Sequence, residues 1–305
     1  MTRRQTSLPS LCLSFGALLA ACDAPSAPPV SAGPVAAEPK VEPEDDLDPS
    51  DEADEADGAD ECEPRPAALP RIVFVLDRSS SMDAGGGLES GEPHGVGERS
   101  RWALLHATVA RAAEVLAGQA QLGAVLFPSS FADINRDAAC DVLTVPDVPV
   151  GPYTARGLLK RLPRADAGGF LGGSPVAAAY TTALEHLENA DDGTPAAIVL
   201  VTDGGANCVD DADLGGAADH DLVDLVAFAR NSRGVHTFVV GVDVVDATIE
   251  RPAINPDESL REIARAGGVA RAGAGYFSAH DPAPLAEALA DFAASAQGPT
   301  PQTCP

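Results

Sequence analysis

The segment Arg71-Ile-Val-Phe-Val-Leu-Asp77-Arg-Ser79-Ser-Ser81-Met82 constrains this chain more than any other. Residues 72–76 are an unbroken apolar run, mostly β-branched or aromatic. Such a run suits a strand buried on both faces, and hence the middle of a parallel sheet covered by helices on each side. Where it ends, the chain presents one carboxylate and then serine hydroxyls. In open α/β sheets, ligands bind in the crevice outside the carboxyl ends of the strands. Asp77, Ser79 and Ser81 alternate, so a single loop can aim all of them at one point. They are hard oxygen donors, suited to a small hard cation such as Mg²⁺.

The chain beyond this segment continues in the same style. Residues 83–97 are a glycine-rich loop without the G-x-x-x-x-G-K-[ST] phosphate-binding pattern. A helix is expected over 98–116, with Trp102, Leu105, Val109, Ala112 or Ala113, and Leu116 on one face and Gly118 closing it. Residues 121–127 form a second buried strand stopped by Pro128. Residues 142–150 read as a short strand confined to a sheet edge by Pro146 and Pro149. A short helix over 154–162 follows. The next runs from Pro175 to about Leu187, with Ser174 as its expected cap and Ala179, Leu184 and Leu187 inward. Residues 196–202 are another fully buried strand, leading into Asp203. Helix 219–233, strand 235–242, helix 259–266, strand 275–278 and helix 282–296 complete the alternation. The expected class is α/β: a doubly wound, mostly parallel, Rossmann-like sheet of about six strands with helices on both faces.

The N-terminal part has a different character. Arg3 and Arg4 precede an apolar run, 11–21, that is too short for a permanent membrane span and reads as an export signal over 1–21. It ends Leu19-Ala20-Ala21-Cys22, which resembles the bacterial lipobox; the resemblance implies cleavage before Cys22 and lipidation of its thiol. Acyl chains would anchor the protein at about 0.8 kcal/mol per buried CH₂. Residues 22–67 turn from Pro/Ala-rich to strongly acidic, with almost nothing to bury, and are expected to be a self-repelling tether. Much of the formal net charge of −26 lies there, and it argues against nucleic acid as a partner. The globular domain is expected over 68–298, followed by a short tail, 299–305. The whole describes a lipoprotein of the bacterial cell envelope, membrane-anchored and facing the periplasm or the cell surface.

The D-x-S-x-S of Asp77, Ser79 and Ser81 resembles the first motif of the metal-ion-dependent adhesion site in von Willebrand factor type A (VWA) domains. That family completes the site with a threonine in a second loop and an aspartate after the fourth strand. The matching stretches here are Gly172-Gly173-Ser174-Pro175 and Leu200-Val-Thr-Asp203-Gly204, in the right order. The resemblance implies a metal site of Asp77, Ser79, Ser81, Ser174 and Asp203, some of them acting through water. The ion would be Mg²⁺, with Mn²⁺ or Ca²⁺ as alternatives. Ser174 departs from the family threonine by a methyl group that restrains the hydroxyl's rotamers. The resemblance further implies metal-dependent protein binding, the partner supplying a Glu or Asp to an open position on the ion. An enzyme is not expected. The second acid of an aspartyl-phosphate D-x-D is replaced by Ser79, the G-x-S-x-G elbow is missing around Ser174, and the six histidines show no H-E-x-x-H. His106 and His186 fall within expected helices, where packed or solvated imidazoles are the rule. A Mg²⁺-dependent hydrolase and a structural component with a vestigial site are the alternatives.

After cleavage before Cys22, Cys62, Cys140, Cys208 and Cys304 remain for disulfides, with three possible connectivities. Cys62 and Cys304 flank the domain, and Cys140 and Cys208 both lie in loops expected near the site. The favoured pairing is therefore Cys62–Cys304 with Cys140–Cys208. The acids Asp210, Asp211, Asp213, Asp219 and Asp221 read as a solvated acidic surface rather than a second cation site.

Overall fold

Residues 68–83, 100–129, 138–189, 193–204, 208, 217–244 and 255–297 are described by a computed structural model, with the backbone alone for 217–220. The expected export signal, Cys22, the acidic tether, Cys62, most of the glycine-rich loop, Asp210 to Asp213, Cys304 and the tail lie outside these residues. Among the described residues no helix is long and apolar enough to cross a membrane.

β1 (Arg71–Asp77) is buried at every position. It pairs in parallel with β2 (Gln121–Phe127) on one side and β4 (Ala196–Thr202) on the other. β5 (His236–Gly241) and β6 (Phe277–Ser278) extend the parallel sheet beyond β4. β3 (Val148–Gly151) closes the opposite edge antiparallel to β2, giving a six-stranded sheet in the order β3-β2-β1-β4-β5-β6. Gly123 makes that edge possible, since a Cβ there would stand 2.9 Å from the Val148 carbonyl oxygen. The edge strand is shorter than 142–150: only 148–150 of that range belong to it, together with Gly151, and Pro149 is exposed.

Alternation along β1 divides the core. Ile72, Phe74 and Leu76 face α1 (Arg101–Leu116), α2 (Ala155–Leu159) and α6 (Ala283–Ala296). Val73 and Val75 face α3 (Val176–Glu188), α4 (Ala217–Arg233) and α5 (Pro256–Gly267). The doubly wound class is thus realised, with helices on both faces. Each fully buried aliphatic or aromatic side chain contributes roughly 1.5–3 kcal/mol. The whole predicted stripe of α1 (Trp102, Leu105, Val109, Ala112, Ala113 and Leu116) is buried.

Local signals set the helix ends. Ser100 caps α1 by accepting from the Ala103 amide at 3.2 Å. α5 starts earlier than expected, because Asn255 caps it and Pro256 fits the first turn, and it ends on Gly268 in the left-handed region. α3 corrects the expectation for Ser174. The Val176 amide bonds the Ser174 carbonyl at 2.9 Å and Pro175 has ψ 59°, outside the helical range. Pro175, which offers no side-chain bond, is therefore the cap and Ser174 lies one residue before it.

Candidate metal centre

The chain leaves β1 towards β2 on one side and later returns to β4 on the other, so the winding reverses between β1 and β4. The crevice at their carboxyl ends is the topological switch point, where ligands of such sheets bind. Asp77 ends β1 and Asp203 directly follows β4.

Asp77 is fully buried. Its Oδ1 accepts from the Ser79 amide at 2.8 Å, and its Oδ2 accepts from the Thr202 hydroxyl at 2.6 Å. The Thr202 oxygen in turn accepts from the Gly204 amide at 3.2 Å, which ties the turn after β4 to the end of β1. Burial pushes the Asp77 carboxyl up to about 7, with the negative charge of Asp203 adding to the rise and the bonds from Ser79 and Thr202 opposing it. A further cation in the crevice would offset both the burial of Asp77 and the charge of Asp203.

Beyond Asp77 the chain makes a 3-10 turn, Ser80–Asp83, that brings the hydroxyls of Ser79 and Ser81 to 2.9 Å from each other. Three contacts draw in the second loop. The Ser80 amide donates to the Gly172 carbonyl at 3.2 Å, Asp83 Oδ2 accepts from the Gly169 amide at 2.8 Å, and the Phe170 ring meets Trp102 edge-on at 5.1 Å. Gly168 permits this approach, since a Cβ there would collide with Asp83 Oδ1. Ser174, buried, follows in the same loop. A third loop joins where the Gly173 amide bonds the Ala139 carbonyl at 2.8 Å, next to Cys140. Cys140 and Cys208 form a disulfide, as one of the favoured pairs required, linking the loop after β2 to the one after β4. Cys62 and Cys304 lie outside the described residues.

Asp203 is engaged by a residue the sequence reading passed over. Arg101, the first residue of α1, is buried and donates from Nη1 to Asp203 Oδ2 at 2.8 Å. Its guanidinium also reaches the Ser81 carbonyl at 3.4 Å and the Asp243 carbonyl at 3.5 Å, and its Nε lies 3.8 Å from Asp243 Oδ2. Asp243 follows β5, as Asp203 follows β4, and has a positive φ of 46°. On its far side, Asp243 Oδ1 pairs with Nε2 of His280. A charged residue four positions before Leu105, on the apolar stripe of α1, was the available signal for Arg101. An acid ending a third buried strand was the signal for Asp243.

The donor set fits Mg²⁺. The hydroxyls of Ser79 and Ser81 are hydrogen-bonded to each other at 2.9 Å, a separation that adjacent ligands of an octahedral ion at about 2.05 Å would share. Among the described residues no group of three or more His, Cys, Asp or Glu is placed to hold a metal. An ion here would therefore rest on two carboxylates, hydroxyls and water, a hard oxygen set unsuited to zinc. The histidines singled out in helices are both half-buried. His186 Nε2 accepts from the Val150 amide at 3.2 Å, and burial, helped by the charge of Arg71, holds its pKa below the usual range. Burial does the same to His106.

No protein-family model matches the chain, and no curated relative does. Solved structures share its fold. The pilus adhesin SpaC from Lactobacillus rhamnosus GG superposes in its open conformation with a TM-score of 0.50 at 13% identity, over 77% of this chain and 31% of the adhesin. Another SpaC structure gives 0.51 at 14% identity, over 76% and 31%. The PilB minor pilin from Streptococcus sanguinis gives 0.46 at 16% identity, over 76% and 62%. The chain thus spans about a third of the adhesin and under two thirds of the pilin.

Proposed function

We propose that the chain carries a VWA-like binding domain whose divalent cation, Mg²⁺ before Mn²⁺ or Ca²⁺, receives an acidic side chain from a protein ligand at the surface of the cell envelope. The observation that carries this reading is the meeting of Asp77, Ser79 and Ser81 with Asp203 at the switch point of the sheet. Ser79 and Ser81 would contribute hydroxyls, Asp77 and Asp203 charge, and Ser174 a further hydroxyl from the second loop. Bound there, the ion would supply an electrophilic position open to a carboxylate. Asp77 stays fixed by Ser79 and Thr202 while it balances the positive charge. The fold shared with a pilus adhesin leans towards a binding role rather than catalysis. Lipidation at Cys22 would hold the domain at the membrane on its acidic tether.

Capture from envelope extract tests the reading. The full-length protein should retain a partner in Mg²⁺ and release it in EDTA, and Asp77→Ala should retain none. Equal capture with EDTA, or by Asp77→Ala, would remove the ion from the account. A hydrolase reading draws on the Asp243–His280 pair beside the crevice. It predicts Mg²⁺-dependent turnover that His280→Ala abolishes, whereas the binding reading predicts no turnover by either protein and partner capture by His280→Ala once Mg²⁺ is saturating.

A further inference from the structure

We infer that Arg101 is a built-in competitor of the metal ion for Asp203, retiring to Asp243 when the ion binds. The inference rests on the metal-site reading above and adds how the site is regulated.

A guanidinium with a side-chain exposure of 3% must keep a carboxylate partner, because a buried charge left alone is strongly unfavourable. Arg101 has two within reach. Asp203 Oδ2 holds its Nη1 at 2.8 Å, while Asp243 Oδ2 stands 3.8 Å from its Nε, an ångström beyond a good ion-pair contact. His280 binds the other oxygen of Asp243, so Oδ2 faces the guanidinium. Arg101 also reaches the Ser81 carbonyl, inside the loop that carries the metal hydroxyls.

A divalent ion taking Asp203 would meet the guanidinium on the same carboxylate, and two cations sharing it repel. The ion binds fully only if Arg101 moves towards Asp243. A shift of about 1 Å achieves this without unpairing any charge. The affinity of the site is then set by how well Asp243 receives the guanidinium, and any partner contact that disturbs Asp243 or His280 would change it.

The test is calorimetric titration of the full-length chain with Mg²⁺. Arg101→Gln should bind at least ten-fold more tightly than wild type, and Asp243→Asn at least three-fold more weakly. In Arg101→Gln/Asp243→Asn the effect of Asp243 should shrink to less than half on a logarithmic scale, because no guanidinium is left to relocate. Wild type that binds Mg²⁺ with Arg101→Gln equal or weaker overturns the inference and leaves the metal site standing. No binding by either form overturns both. Binding by Arg101→Gln alone supports it in its strongest form. Should Arg101→Gln fail to fold, the unsubstituted protein decides. The ¹⁵Nε–¹H resonance of Arg101, assigned by its absence in Arg101→Lys, should move on Mg²⁺ saturation, and a stationary resonance refutes the relocation.

Discussion

Replacing Asp77 by asparagine in metal-free buffer should stabilise the domain at pH 8 and slightly destabilise it at pH 4. The folded-state pKa of Asp77 is raised, from an ordinary 3.8 to about 7. Below the lower value the group is protonated whether the chain is folded or not, and it carries no penalty. Between the two, the folded chain keeps a proton that the unfolded chain has lost, so stability falls as pH rises. Above about 7 the loss is complete, on the order of 4 kcal/mol. Asparagine removes this term and keeps the shape. Its Oδ1 still accepts from the Ser79 amide, while its Nδ2 turns the bond with Thr202 around and displaces the threonine proton, at a cost of about 1 kcal/mol. The balance is about 2–3 kcal/mol in favour of Asp77→Asn at pH 8, or roughly 5–10 °C for a domain of this size. Urea unfolding in EDTA from pH 4 to 8 is the assay, read as the difference between the two proteins. That difference should grow steadily through the window and change sign near its lower end. A difference that is flat with pH, or that moves the other way, would show that the buried carboxyl is not strained as the geometry implies.

Reducing the Cys140–Cys208 bridge, which closes a 68-residue separation, should lower stability by about 2–4 kcal/mol and weaken Mg²⁺ binding; urea unfolding and titration with and without reductant would check both. Cys22→Ser should release the protein from membranes or block its maturation, as fractionation and acyl labelling would show. Ser174→Thr should keep Mg²⁺ binding and tighten it by up to about three-fold, because the added methyl narrows the hydroxyl's rotamers; calorimetry gives the comparison directly.

Much of this architecture is legible from residue patterns, for a physical reason. β1 and β4 are buried on both faces, so their sequences are continuous apolar runs, and the acids that end them stand out sharply. The stripe of α1 was equally plain because it packs on one sheet face. Arg101 escaped notice because periodicity marks apolar positions, and a charged residue on the stripe is paired by residues more than a hundred positions away. Asp243 was missed likewise: its partners, Arg101 and His280, come from separate turns of the chain. Thr202 was read only as the neighbour of Asp203, yet its hydroxyl holds Asp77. The cap of α3 fell one residue late because a tight turn at Ser174 leaves Pro175 outside the helical range. Such local geometry depends on the loops packed around it, and neither spacing nor propensity carries it.

The central claim is that Asp77, Ser79, Ser81, Ser174 and Asp203 act on one ion. Calorimetric titration of wild type and Asp77→Ala with Mg²⁺ and Mn²⁺, each checked for folding by circular dichroism, tests it most directly. The account predicts one site in wild type and none in Asp77→Ala, with the fold retained because the core lies within the sheet and its helices. Equal binding by the two proteins would contradict it and place the ion elsewhere in the chain.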